Sequence, residues 1–300
     1  MTPSEQIGSP HNPPRSRIAP TPSGHLHLGN AVNFLITWVL VRQRGGRLKL
    51  RIDDADSARC RPEYIEDIFR QLDWLGLDWD EGPEGPGDLR ERYSQRLRFG
   101  RYRVMLVGLR QAGHTYFCGC SRAEIREQVG SGVYPGLCRR RPSRDGDLVE
   151  RLLVPENTLI EVEKKRIDLA SSMGDFVLWR RDDSPAYQLA SLADDLDDGI
   201  NFIVRGSDLL VSSAAQIFLA GLLGRKSFAR IRFHHHRLLV GHDGAKLSKS
   251  DQALSLEGMR RLGATRRDIY QAAAPYLGMA AEQVGSLNDL RLRGSYRTQE

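Results

Sequence analysis

Cysteine is scarce in this sequence: four among 300 residues is too few for a disulfide scaffold, so a hydrophobic core has to stabilise the fold. Long apolar runs are missing too. The longest, around Phe34 to Val41, is far shorter than the roughly 20 residues of a bilayer-spanning helix, so no membrane partner is expected. The opening stretch, MTPSEQIGSPHNPPRS, lacks both an apolar core and an amphipathic basic pattern. That excludes a signal peptide and a targeting helix, and residues 1–16 read as a disordered lead. Internal repeats and heptads are absent, which argues against a solenoid or a coiled coil. Acidic charge is in deficit: the net charge is +6, with the excess in stretches such as Arg139, Arg140, Arg141 and Arg144. A polyanionic partner would suit that balance, although charge alone does not identify one. Few thiols and no export signal make a reducing cytoplasm the expected compartment.

Apolar residues make up 40% of the chain, enough for a sizeable core in one large domain or two smaller ones. Residues 17–117 read as the first half of an open α/β domain. A short strand is expected at Arg17–Ala19, a helix from Asn30 to Arg44 closed by Gly45 and Gly46, and an alternating strand from Arg47 to Ile52. Pro62 stands where the first turn of the next helix would accept it. Strands alternating with helices predict a parallel sheet, whose ligands bind beyond the carboxyl ends of the strands. Residues 118–175, rich in glycine, arginine and proline, read as an inserted subdomain. Residues 176–250 resume the α/β pattern and end in the loop GHDGAKLSKS, and residues 251–300 show only short helical stretches.

Two segments carry phosphate chemistry. In the first, RIAPTPSGHLHLGN from Arg17 to Asn30, a strand passes through small and rigid residues into a helix start. Free N–H groups and the positive end of the helix dipole can hold phosphate there. Gly29 would let a planar base lie against the backbone, and His27 can donate to a phosphate oxygen as charge builds on it. Standing alone, the segment would read as a proline-rich turn with a surface histidine. In the second, Lys246-Leu247-Ser248-Lys249-Ser250, two lysines can clamp a triphosphate and its departing pyrophosphate. A lysine-serine loop is ordinary by itself. Its occurrence about 200 residues after the first segment, on an α/β pattern, gives the pair its weight.

The two segments resemble the HIGH and KMSKS signatures of the class I aminoacyl-tRNA synthetases, with His27-Leu28-Gly29-Asn30 in place of the first. RIAPTPSGHLHLG and RIDDAD are similar to the R-F-A-P-S-P-(S/T)-G-x-L-H-x-G and R-I-E-D-x-D patterns of the glutamyl branch. AYQLASLADDLDDGINFIVRGSDLL resembles that branch's Y-x-x-A-x-x-x-D-D-x-x-x-x-I-x-x-x-V-R-G segment, so the likeness runs from Arg17 to about Ser250. It implies a Rossmann-like catalytic domain, with ATP held by His27, Gly29, Asn30 and Lys249, magnesium accompanying the nucleotide, and His27, Lys246 and Lys249 acting on the phosphates. It implies a glutamate site at Arg17, Ala19, Thr21, Asp53, Tyr187 and Arg205. Two arginines can hold two carboxylates and an acidic side chain can accept from the α-ammonium, but which arginine meets which carboxylate stays open. Arg205 could instead form a structural ion pair with Asp194, Asp195 or Asp208. Asp53 stands where the branch has glutamate, keeping the charge with one methylene less reach, and Asn30 stands where other class I enzymes often have histidine.

Cys118, Cys120, Tyr134 and Cys138 could close a tetrahedral zinc site with no open position, structural rather than catalytic. Tyrosine is an uncommon ligand, but YFCGCSRAEI followed by YPGLCR resembles the zinc module of shortened glutamyl-synthetase paralogues. Cys60 fits no ligand set and reads as a packed thiol, and His234, His235 and His236 cannot converge on one ion if they lie in a strand.

About fifty residues follow Ser250, where full-length glutamyl enzymes continue into anticodon-reading helical domains. The resemblance is therefore to the glutamyl-queuosine tRNA(Asp) synthetase family. It implies a monomer that activates L-glutamate with ATP without tRNA and transfers it to queuosine in the anticodon loop of tRNA(Asp). Three rival expectations are a truncated enzyme charging the acceptor end of tRNA, a catalytically silent tRNA-binding paralogue, and a different nucleotidyltransferase of the HIGH superfamily acting on a small molecule, against which the glutamate-pocket segments and the cysteine module argue. Queuosine-free tRNA(Glu) separates the first from the leading reading. The presence of His27, Lys249, Arg17 and Arg205 together argues against the second.

Overall fold

The structure is a computed structural model that describes residues 13–130, 133–140, 146, 148–239 and 255–294. Lys246, Lys249, Arg141, Arg144 and the first twelve residues of the expected lead lie outside the described residues. In chain order the elements begin with β1 (Arg15–Ile18), α1 (Leu28–Arg42), β2 (Arg47–Leu50), α2 (Pro62–Trp74), α3 (Pro86–Asp88) and α4 (Phe99–Gln111). Then come β3 (Thr115–Cys118), α5 (Arg122–Val129), β4 (Val149–Leu152), β5 (Leu159–Val162), β6 (Lys165–Asp168), α6 (Leu169–Ser172) and β7 (Val177–Trp179). The last are α7 (Tyr187–Asp197), β8 (Phe202–Gly206), α8 (Leu210–Leu222), β9 (Arg232–His236), α9 (Leu256–Arg261), α10 (Arg266–Ala273) and α11 (Leu287–Arg293). They form two compact units. The first takes the chain up to residue 94, residues 200–207 and the chain from 231 on, and the second takes residues 95–199 and 208–230.

The first unit has the expected α/β character. Strand β1 pairs in parallel with β2, from Arg15 opposite Arg47 to Ile18 opposite Leu50, and β8 pairs in parallel with β9. Asn201 ties the two ribbons together: the Arg15 amide donates to its Oδ1 at 2.7 Å, and its own amide donates to the Arg15 carbonyl at 3.0 Å. These pairings draw Arg15 and Ser16 into β1, two residues ahead of the start expected from the sequence. Helix α1 runs through the middle of the unit, and from Ala31 to Val41 every residue but Asn33 is buried. A helix covered all round has no polar face to conserve, which is why this segment is the chain's longest apolar run. Pro62 takes the first turn of α2, where its missing N–H costs nothing.

The C-terminal helices are part of the same core. Ile269, Tyr270, Ala273, Leu277 and Leu290 pack in one cluster with α1, and the Tyr270 hydroxyl donates to the Leu75 carbonyl at 2.9 Å. Gln43, just past α1, donates through Nε2 to the carbonyls of Arg291 and Gly294 at 2.7 and 2.5 Å.

In the second unit β3, β4 and β7 form an antiparallel sheet and β5 and β6 a hairpin. Asp194 on α7 is buried and holds that unit's helices together. It accepts from the Tyr102 hydroxyl and Gln95 Nε2 at 2.8 Å each, with Arg98 at 3.1 Å. Among the described residues no helix is long and apolar enough to cross a membrane.

Just beyond β2 the sheet is extended by residue 81, where the Leu50 amide donates to the Glu81 carbonyl at 2.8 Å. Gly82 follows at φ +121°, and a Cβ there would stand 2.2 Å from the Leu50 carbonyl oxygen. Gly82→Ala should therefore lower stability by about 1–3 kcal/mol, a cost typical of forcing a side chain into such a backbone conformation. The expected result is a lower urea midpoint at unchanged slope, and an unmoved midpoint would contradict it.

Candidate functional site

Helix α1 opens at His27, whose backbone is extended (φ −114°, ψ 170°) and whose N–H donates to Asn30 Oδ1 at 3.1 Å. Asn30 thus closes the first turn as an N3 residue of a capping box does, which gives an amide side chain a local role at this position. Gly29 leaves space for a neighbouring side chain: a Cβ on it would lie 3.0 Å from both Cε1 and Nδ1 of His27. The missing side chain makes room for the imidazole itself.

The loop before α1 is pinned by Asp67 of α2, a buried carboxylate. It accepts from the Leu26 amide at 3.0 Å and from Gln71 Nε2 and Arg70 at 2.9 Å, with His25 Nδ1 at 3.4 Å. Burial alone would raise this carboxyl's pKa. The hydrogen bonds from Gln71, Leu26 and Arg70 and the charge of His25 outweigh it and hold the pKa below its ordinary value.

Both ends of the stretch that carries Lys246 and Lys249 rest on the first turns of α1. On the downstream side, Ser255 forms an antiparallel bridge with His27, and the Leu256 amide donates to the Leu26 carbonyl at 2.7 Å. On the upstream side, Leu239 Cδ1 lies 3.9 Å from where a Gly29 Cβ would stand, and His236 Nε2 is 3.1 Å from Asn33 Oδ1. Gln71 also reaches α9, with 3.3 Å contacts to Glu257 and Arg260, so one face of α2 steadies both the loop and the residues after the lysines.

Extended pairing continues past β2: the Arg51 amide donates to the Ile18 carbonyl and the Asp53 amide to the Pro20 carbonyl, each at 2.9 Å. This lays Asp53 beside Ala19 and Thr21. The Asp53 carboxylate accepts from Arg51 Nε at 2.7 Å in a buried ion pair that orients it. Sequence reasoning missed Arg51, although residues two apart on an extended chain share a face. Asp54 accepts from the Ser94 hydroxyl at 2.6 Å. Arg17 on β1 and Arg205 on β8 are only 5% and 3% exposed, and the Arg205 guanidinium lies 5.9 Å from the Phe233 ring. Ala19 is half-buried and Thr21 exposed. Arg17, Asp53 and Arg205 stand near or just past the carboxyl ends of parallel strands, and His27 at the start of α1. Tyr187 belongs to the second unit, where it opens α7 and is 40% exposed. Asp67 carried no sequence signal of function, because the loop it anchors is distant in the chain.

In the second unit the Sγ atoms of Cys118, Cys120 and Cys138 lie within 4.8 Å of one another, with Cys120 and Cys138 at 3.4 Å and no disulfide formed. The Tyr134 oxygen is 3.3 Å from Cys118 Sγ and 3.8 Å from Cys120 Sγ, and it accepts from the Cys138 amide at 3.0 Å. Thiolates on a tetrahedral zinc are about 3.8 Å apart, given Zn–S bonds of about 2.3 Å, so these four donors fit a closed site. Burial would raise the Cys118 pKa, but Tyr134, Arg151 and the Cys120 backbone bring it below the ordinary thiol value. Burial and the neighbouring thiols push Cys120 up to about 11. Arg181 donates to the carbonyls of Gly119 and Cys120 at 3.0 and 2.9 Å, which fixes the turn between the first two cysteines.

The histidine triplet follows strand alternation: His234 and His236 are buried and His235, between them, stacks on Phe233 at 5.9 Å. Cys60 is half-buried, and the metal-capable group among the described residues consists of Cys118, Cys120 and Cys138.

Residues 14–287 match the family model "tRNA synthetases class I (E and Q), catalytic domain". The chain is 40% identical over 273 residues to the glutamyl-Q tRNA(Asp) synthetase of Symbiobacterium thermophilum, covering 84% of this chain and 83% of that protein. It is 37% identical over 289 residues to the protein of that name from Nitratidesulfovibrio vulgaris, covering 90% and 88%. A crystal structure of a glutamate tRNA ligase from Elizabethkingia meningosepticum superposes with a TM-score of 0.75 at 22% identity, over 95% of this chain and 65% of that one, a likeness of fold.

Asp67→Asn keeps the shape of the anchor and removes its charge. The depressed folded pKa means that the carboxylate's contribution is fully present above the unfolded value near 3.8 and is lost as pH falls through the folded value. The variant should be less stable than wild type by about 1–3 kcal/mol at neutral pH, with the gap closing below pH 4. Urea titrations across pH check this, and a gap that widens in acid would contradict it.

Proposed function

The chain belongs to the glutamyl-Q tRNA(Asp) synthetase family, within the class I tRNA synthetases for glutamate and glutamine, and from that premise we propose its reaction. It activates L-glutamate with ATP to glutamyl-adenylate without tRNA, then transfers the glutamyl group to queuosine in the anticodon loop of tRNA(Asp). The observation that carries the reading is the seating of residues 239 and 255, on either side of Lys246 and Lys249, against the His27–Gly29 start of α1. A histidine and a helix N-terminus at that point, with two lysines in the segment between the anchors, would suit a triphosphate.

In the proposed first step a glutamate carboxylate oxygen attacks the α-phosphate of ATP in line. The bond to the β-phosphate bridging oxygen breaks, and pyrophosphate leaves with that electron pair. His27, the N–H groups of α1, Lys246 and Lys249 stabilise the charge, ATP enters with Mg²⁺, and Gly29 and Asn30 shape the nucleotide seat. Arg17 and Arg205 hold the two carboxylates, Asp53 accepts from the α-ammonium, and Ala19 and Thr21 line the same pocket. In the second step a hydroxyl of the queuosine cyclopentene diol attacks the acyl carbon and AMP departs, its phosphate accepting the hydroxyl proton. No enzyme nucleophile is needed, so the protein's part is orientation and charge. Zn²⁺ on Cys118, Cys120, Tyr134 and Cys138 would supply structural cross-linking.

Glutamate-dependent exchange of pyrophosphate into ATP, without tRNA, tests the first step. Lys249→Ala should slow it by about 10²–10³-fold, the usual cost of losing one transition-state donor. An unaffected variant would contradict the clamp. For the second step, labelled glutamate should appear on queuosine-containing tRNA(Asp) and not on the queuosine-free form. Equal labelling of both, or labelling of tRNA(Glu) alone, would refute the acceptor while leaving activation intact.

A further inference from the structure

Arg151 lies deep in the cysteine module and is only 8% exposed. It sits on β4, opposite Tyr116 of β3, and strand alternation sends it to the face opposite Glu150, which meets Arg110 and Thr115. Its guanidinium carbon lies 3.8 Å from the centre of the Tyr134 ring. One of its nitrogens donates to the Asp175 backbone carbonyl at 2.8 Å, while Nε is buried without a hydrogen-bond partner. No carboxylate among the described residues forms an ion pair with it. The nearby Asp175 carboxylate is already engaged by Arg139, at 2.6 Å through two nitrogens, and by the Tyr116 hydroxyl and the Val154 amide.

A buried cation without a carboxylate partner is costly unless negative charge lies close by. Three thiolates and a phenolate outweigh the charge of one divalent ion, so a loaded Cys118, Cys120, Tyr134 and Cys138 site would be anionic and directly beneath this guanidinium. We propose that Arg151 is the countercharge of that metal site, and that its stacking on Tyr134 is what makes a tyrosine serviceable as the fourth ligand. The inference rests on the zinc reading of the four donors. Asp175 is the fixed point of the arrangement. Its backbone carbonyl aims Arg151 at the ring, while its carboxylate holds Arg139, the residue after Cys138. Gly174, just before it, bridges to Tyr134, and a Cβ there would stand 2.3 Å from the Tyr134 carbonyl oxygen. One short segment thus sets both a ligand and its counter-ion.

The test is zinc affinity by competition with a chromophoric chelator, on the full chain, for wild type, Arg151→Gln, Arg151→Lys, Tyr134→Phe and the double variant Arg151→Gln/Tyr134→Phe. Wild type should bind zinc. Arg151→Gln should weaken it by about 10- to 100-fold, the range typical of outer-shell partners, and Arg151→Lys should recover part of the loss, since it restores the charge without the planar stack. In the Tyr134→Phe background Arg151→Gln should add little, because the two act as one unit. A general packing defect would instead add its full loss in both backgrounds, and that result overturns the proposal. Wild-type affinity in Arg151→Gln overturns it while sparing the metal reading, and a wild type that binds no zinc overturns both. If Arg151→Gln does not fold, Arg151→Lys decides, and affinity equal to wild type overturns the proposal.

Discussion

The backbone pairing of Leu26 and His27 with Ser255 and Leu256 is the constraint on which the site depends. It fastens the start of a buried helix to the downstream end of the lysine segment, across more than two hundred residues of chain. Loop closure over that span has an entropic cost that local contacts cannot meet. The offset comes from the core around α1, to which β1, β2, β8 and the C-terminal helices all contribute. The residues proposed to face phosphate can therefore be small and polar, because their positions are set by apolar packing one turn further in.

Charge is handled the same way in both units. Asp53 is oriented by Arg51, Asp67 by Leu26, Gln71 and Arg70, Asp175 by Arg139, and Asp194 by Tyr102, Gln95 and Arg98. Each is a buried carboxylate held by one or more donors from neighbouring side chains or backbone. Buried polar groups are affordable only when so satisfied. Against that pattern, Arg151 over Tyr134 marks the place where the balancing charge would be a metal centre.

Much of this was legible in the chain. The strand start at residue 47 and Pro62 at the head of α2 read correctly because they act locally, through backbone geometry, while α1 begins and ends two residues earlier than expected and β2 ends at Leu50 instead of Ile52. The family resemblance of the first segment and the spacing of the cysteines led to the right family and to a cluster that closes in space. What escaped was non-local. Nothing in PEYIEDIF signals that Asp67 anchors a loop forty residues earlier, nor does SMGDF signal that Asp175 organises the cysteine module. The C-terminal stretches read only as short helices, yet their apolar residues complete the wall around α1. The role of Gly29 was half-read: its missing side chain accommodates His27 as well as any base.

The most direct test of the account is a crystal structure with a sulfamoyl analogue of glutamyl-adenylate. The analogue should lie over Gly29 with its phosphate mimic at His27 and the start of α1, and with its carboxylate on Arg17 or Arg205. An analogue bound away from α1, or one that leaves both arginines without contact, would contradict the account.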